Sequence, residues 1–176
     1  MSIRQLNASY VADEDRVMFR FTTAAHEEFR LWLTRAVVGQ LLLQLKDVAV
    51  QVLVQKGQAQ EAKVVAEFKQ QALEQNAQFT QFAAVPRLPL GAEPVMVRSV
   101  QARVSPSGPS LLLALGTGKQ LTLPLGEDLI GKLRLLLQRM NETAFWALPL
   151  EASAGVAKPA GQDPHLPDSA VPKVLH

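Results

Sequence analysis

The stretch FRLWLTRAVVGQLLLQL, residues 29–45, carries two periodicities in succession. Phe29, Leu31 and Leu33 alternate with Arg30, Trp32 and Thr34, as in a strand with one buried face. The spacing then becomes helical, and Val37, Val38, Leu41, Leu42, Leu45, Val48 and Val52 share one broad apolar surface. Thr34 stands at the change. Its hydroxyl can accept a hydrogen bond from a first-turn amide, so it is the expected N-cap of a helix over 35–55. A strand that feeds directly into a helix is therefore the module from which the chain is read.

Upstream, RQLNASYVA is a strand and DED (13–15) an acidic turn. RVMFRFTT is a second strand, with Val17, Phe19 and Phe21 on one face and Met18, Arg20 and Thr22 on the other. A short AAHEE turn leads back into the opening stretch. Residues 1–56 thus read as a β3α unit. Gly57 breaks the helix. A more polar helix is expected over 59–80, with Val64, Phe68, Leu73 and Phe79 as its apolar anchors. FAAVPRLPLGAEP (82–94) holds three prolines and a glycine and reads as a connector, because proline removes a helical donor and clashes with the preceding turn.

After the connector the first pattern returns. VMVRSVQARV, LLLALGTG and KQLTLPLG are three strands, and EDLIGKLRLLLQRMNETAFW is a helix over 127–145 with Glu127 and Asp128 in its first turn. Residues 6–23 align with 100–117 without a gap, and 29–45 align with 121–137. In the second block Leu31, Leu33, Gly39, Leu41, Leu43 and Leu45 meet Leu123, Leu125, Gly131, Leu133, Leu135 and Leu137. The expected architecture is α+β: two duplicated β-β-β-α units with antiparallel sheets (1–56 and 95–150), an inserted central helix (57–82) and a Pro-rich connector (83–94). The tail from 151 is rich in Ala, Pro and Gly and is expected to be disordered.

Composition narrows the function classes. The 176 residues carry a formal net charge of +2, and residues 83–126, with four basic groups and one acidic, are the most basic region. No polybasic tract of the kind that tracks duplex phosphates is present. There is no cysteine, so disulfides, thiolate metal sites and cysteine nucleophiles are excluded. That absence, and an N-terminus without the charged-then-apolar pattern of a secretory signal, lead to the expectation of a cytoplasmic protein. The apolar runs are interrupted by Gln and Lys, which argues against a membrane span.

No motif for nucleophilic, metal or phosphate chemistry occurs, and the chain is expected not to be an enzyme and to need no cofactor. GTGK (116–119) leads into a strand, whereas a phosphate loop leads into a helix N-terminus. DED (13–15) reads as a solvated turn before a cation site. The candidate site is the other side of the strands, where Met18, Arg20, Arg30 and Trp32 share a face and Trp32 is expected to lie between the two arginines. Three readings stand. The set is a stacking platform for single-stranded nucleic acid, an indole covered by arginine stems, or an interface to another element or chain.

The pattern EDRVMFRFTT…EEFRLWLTR (14–35), the polar helix AEFKQQALEQNAQF (66–79) and the LPL strand and helix of 123–146 resemble a group of uncharacterised bacterial proteins. That resemblance implies no activity. Two sheet-plus-helix units in tandem are also similar in plan to the Whirly and PUR single-strand binders, whose units carry four strands where three are counted here. The functional expectation is a protein-binding or self-assembling molecule, with single-stranded nucleic-acid binding as the alternative. No membrane or small-molecule partner is implied.

Overall fold

The computed structural model describes residues 2–76, 82, 83, 85 and 87–149. In chain order the elements are β1 (Ile3–Val11), β2 (Arg16–Thr23), β3 (Glu28–Thr34), α1 (Arg35–Gln55), α2 (Ala62–Asn76), β4 (Val95–Ser105), β5 (Gly108–Leu115), β6 (Gln120–Pro124) and α3 (Glu127–Thr143). The fold is mixed α+β. The expected disordered tail lies outside the described residues.

β3 passes into α1 as the two periodicities require. Thr34 is extended, at φ −75° and ψ 162°, and its hydroxyl accepts from the Val37 amide. All seven residues expected on the apolar surface of α1 are buried. By length and composition α1 could cross a membrane, but 44% of its most apolar window is buried within this fold. Val38, Leu41, Leu42 and Leu45 lie in one core cluster with Val17, Phe19, Phe21, Leu31, Leu111 and Leu113 of the strands and Leu133 and Leu137 of α3. The helices therefore cover one face of the sheet.

The expectation of separate antiparallel sheets is corrected. One sheet of six strands runs in the order β1-β2-β3-β4-β5-β6. Neighbours within each triplet are antiparallel, but β3 and β4 pair in parallel through Leu31 with Val95 and Trp32 with Met96. A parallel pair needs a long crossover, and α1, α2 and the connector supply it. The seam is short because α1 then runs against β4. There Gln44 takes the place of a missing strand. Its Nε2 donates to the Val100 carbonyl (3.2 Å) and its Oε1 accepts from the Ala102 amide. Two half-buried backbone groups are satisfied in this way, where a fully buried one left unpaired costs about 1–3 kcal/mol.

α2 differs most from its sequence reading. Ala62, Ala66 and Gln70 are its buried residues, whereas Val64 and Phe68 are each 70% exposed and Phe79 lies outside the described residues. The reason is the space between neighbouring helices. At Gly131 of α3 a Cβ would stand 2.9 Å from Leu73 Cδ2. A helix so close to its neighbours turns mostly small residues toward them: Leu73, half-buried, packs against Gly131 as expected, whereas Val64 and Phe68 face outward.

The end of α3 is pinned to the β1–β2 turn. Trp146 is 3% exposed, meets Tyr10 edge to face at 5.6 Å, and donates from Nε1 to Asp15 Oδ1 at 2.6 Å. Arg35 Nη2 donates to the Trp146 carbonyl at 2.7 Å.

Candidate functional site

Strand alternation sends Val17, Phe19, Phe21, Phe29, Leu31 and Leu33 into the core and leaves Met18, Arg20, Arg30 and Trp32 on the opposite face, each half-buried. The register brings three of the strands together at Trp32. Met18 is its partner on β2 and Met96 its partner on β4. A Met–Trp–Met row thus crosses the middle of the open face, on both sides of the parallel seam. Met96 was not singled out in the sequence, since its pairing depends on a seam between segments more than sixty residues apart.

The arginines are arranged differently from the expectation. Arg20 and Arg30 stand directly opposite each other, one row from the tryptophan. The guanidinium over the indole is that of Arg16, 5.6 Å from the ring centroid. Like charges facing each other across strands repel, and each arginine is held by other partners. Arg20 donates to Asn7 Oδ1 at 3.0 Å and stacks on Phe82 at 4.5 Å. Arg30 donates from Nε to Glu28 Oε1 at 2.8 Å and from Nη1 to the Ala92 carbonyl at 3.1 Å. Arg16 pairs with Glu14 at 3.1 Å.

Glu28 organises this end of the face. Its side chain is fully buried, and besides Arg30 it accepts from the Val85 amide at 3.4 Å. Ala83 donates to Gln5 Oε1, and Glu27 forms a parallel bridge with Arg87. These described parts of the connector lie at one end of the open face, over β1 to β3. By its sequence Glu28 falls in the AAHEE turn. A carboxylate followed two residues later by arginine was the available signal, because residues i and i+2 of a strand share a face.

Beyond the connector the face continues over β4 to β6 with Arg98, Gln101, Arg103, Leu112, Ala114 and Thr122, all exposed or half-buried. Among the described residues no cluster of three or more His, Asp or Glu is arranged to hold a metal ion. His26 sits in the β2–β3 turn at φ +54°. Compared with known proteins, the chain matches no family model, no curated protein and no solved structure.

Proposed function

We propose that this molecule acts by binding a protein, a second copy of itself or a partner, through the open face of its sheet, and that it is not an enzyme. The observation that carries this reading is the Met18–Trp32–Met96 row at the centre of a face whose neighbours are arginines. Aromatic, methionine and arginine side chains are enriched in the centres of protein interfaces, and a central tryptophan is a frequent anchor. The state of the arginines favours protein over nucleic acid. Arg16, Arg20 and Arg30 are each engaged within the chain, whereas a phosphate clamp needs its guanidinium donors free.

Single-stranded nucleic acid is the second reading, favoured by a cation over an indole and by exposed Arg98 and Arg103 beyond it. Two measurements separate them. Light scattering after size exclusion, with crosslinking capture of partners from cells, is expected to show an association that Trp32→Ala weakens by about 2 kcal/mol or more. Titration with labelled single strands is expected to show no binding at low salt. Binding that falls steeply with salt and is lost in a folded Trp32→Ala protein overturns the protein-binding reading in favour of the other.

The recurrence of three strands and a helix on either side of α2 supports reading the chain as a tandem duplication with α2 inserted. A crystal structure in which residues 6–45 and 100–137 fail to superpose removes that reading.

A further inference from the structure

The helical layer, on the side of the molecule away from the open sheet face, contains a cleft that the proposed function does not use. It lies where α1, α2 and α3 meet and has a volume of about 430 Å³, within the range of about 300–1,000 Å³ usual for small-molecule sites. Its apolar surface comes from Val52 and Leu53 of α1, Ala66 and Leu73 of α2, and Ile130 of α3.

The lining also carries Lys69, Gln70, Asn76, Glu127, Asp128 and Arg134, and Arg134 is the most buried of its charged residues. The residue is only 9% exposed, yet it lines the cleft and forms no ion pair or hydrogen bond among the described residues. Burial disfavours its charged form, and the carboxylates that oppose this, Glu74 and then Glu67, act from beyond ion-pair distance. Glu74 is itself engaged by Gln70, whose Nε2 donates to it at 3.3 Å and to Gln138 Oε1 at 3.1 Å. A guanidinium stays protonated in proteins, so a partly desolvated cation stands at the cleft with solvent-accessible donors and no carboxylate in contact. An anion that enters the cleft can use those donors where the apolar walls weaken the competition from water. The guanidinium fork matches a carboxylate in two parallel hydrogen bonds. At the rim, Glu127 is neutralised by Lys56 and by Lys69 at 3.7 Å, and Asp128 is the carboxylate of the lining that has no ion pair among the described residues.

We propose that the cleft between α1, α2 and α3 binds a small amphipathic carboxylate, with its head on Arg134 and its apolar body along Val52, Leu53, Leu73 and Ile130. This site is independent of the sheet face, and neither proposal depends on the other.

The test uses three probes with one chain length and different heads: decanoate, decanol and decylammonium, each titrated calorimetrically below its micelle concentration into the full chain. Decanoate is expected to bind saturably, one per chain, and at least tenfold more tightly than the other two. Arg134→Met keeps the stem and removes the charge. It is expected to retain a cooperative melt and to bind decanoate no better than decanol. Ala72→Phe, which fills the cleft from a half-buried position, is expected to abolish all three. Decanol bound as tightly as decanoate, no saturable binding of any probe, or undiminished preference for decanoate in folded Arg134→Met overturns the proposal. Should Arg134→Met not fold, amide shifts in the unaltered protein decide. Decanoate-induced shifts confined to the facing sides of the three helices support the site, and shifts centred elsewhere overturn it.

Discussion

Asp15 shows how one side chain ties the two ends of the fold together. Its Oδ1 accepts from Trp146 Nε1 and from the Tyr10 hydroxyl at 2.8 Å, and its backbone is left-handed at φ +47°. The Trp146 hydrogen bond, then that of Tyr10, with a smaller contribution from the Arg35 charge, hold the carboxyl below its ordinary value against the opposing effect of burial. The sign of the pH dependence follows. A folded-state pKa below the unfolded one contributes stability that is complete above the unfolded value, about 3.9 for aspartate, and is lost as pH falls through the folded value. Urea unfolding between pH 7 and pH 2 is therefore expected to show an acid limb, part of which disappears in Asp15→Asn. Asparagine tolerates the same backbone conformation and keeps the acceptor oxygen without titrating. Identical acid limbs in the two proteins would show that Asp15 contributes nothing there. The residue was visible in the sequence only as part of an acidic turn. What makes it structural is a tryptophan 131 positions away.

At the scale of the element, the burial of α1 was legible and that of α2 only in part. The helix α1 has a wide apolar surface in a position that can only face a core, so its pattern and its burial agree. In α2 the sequence marks Val64, Phe68, Leu73 and Phe79 as anchors; Leu73 does pack against α3, but Ala62, Ala66 and Gln70 are the buried residues and Val64 and Phe68 face outward. Val64→Lys and Phe68→Gln are thus expected to change unfolding free energy within about 0.5 kcal/mol. Ala66→Leu, by overfilling the contact, is expected to cost about 1–3 kcal/mol. Urea midpoints compare them directly, and a loss above 2 kcal/mol in Phe68→Gln would restore the sequence reading. A second element-scale expectation concerns Gln44. Gln44→Ala leaves the Val100 carbonyl and the Ala102 amide without their partner and is expected to cost about 1–3 kcal/mol. Amide exchange at Ala102 should accelerate beyond that at residues in the β4–β5 ladder. Uniform acceleration across the sheet would instead mean a global loss of stability.

For the molecule as a whole, the two tryptophans provide an internal comparison. Trp146 belongs to the core cluster, whereas Trp32 is half-buried and outside it. Trp146→Ala is expected to cost the roughly 3–5 kcal/mol of a large core truncation, and Trp32→Ala less than half as much. Equal losses in thermal or urea unfolding would make Trp32 a packing residue and leave the proposed interface without its anchor. The comparison has force because the sheet is continuous. A face built from β1 to β3 alone would end at Trp32, but the parallel seam puts Met96 and β4 beyond it, so Trp32 lies inside the face and not at its edge.

Local pattern was enough for the elements: which residues alternate, where strand becomes helix at Thr34, the three-strand-and-helix order on each side of α2, and the shared face of Met18, Arg20, Arg30 and Trp32. These are local matters, because periodicity, capping and turn chemistry act over a few residues. Tertiary structure alone decided the relations between distant segments. It joined the two strand triplets into one sheet through a parallel pair, gave Arg16 rather than Arg20 or Arg30 to the Trp32 ring, and buried Glu28 beneath the connector. It also turned the alanines of α2 inward and placed Arg134 at the cleft. Each depends on which surfaces come within contact distance, and periodicity carries no information about that distance.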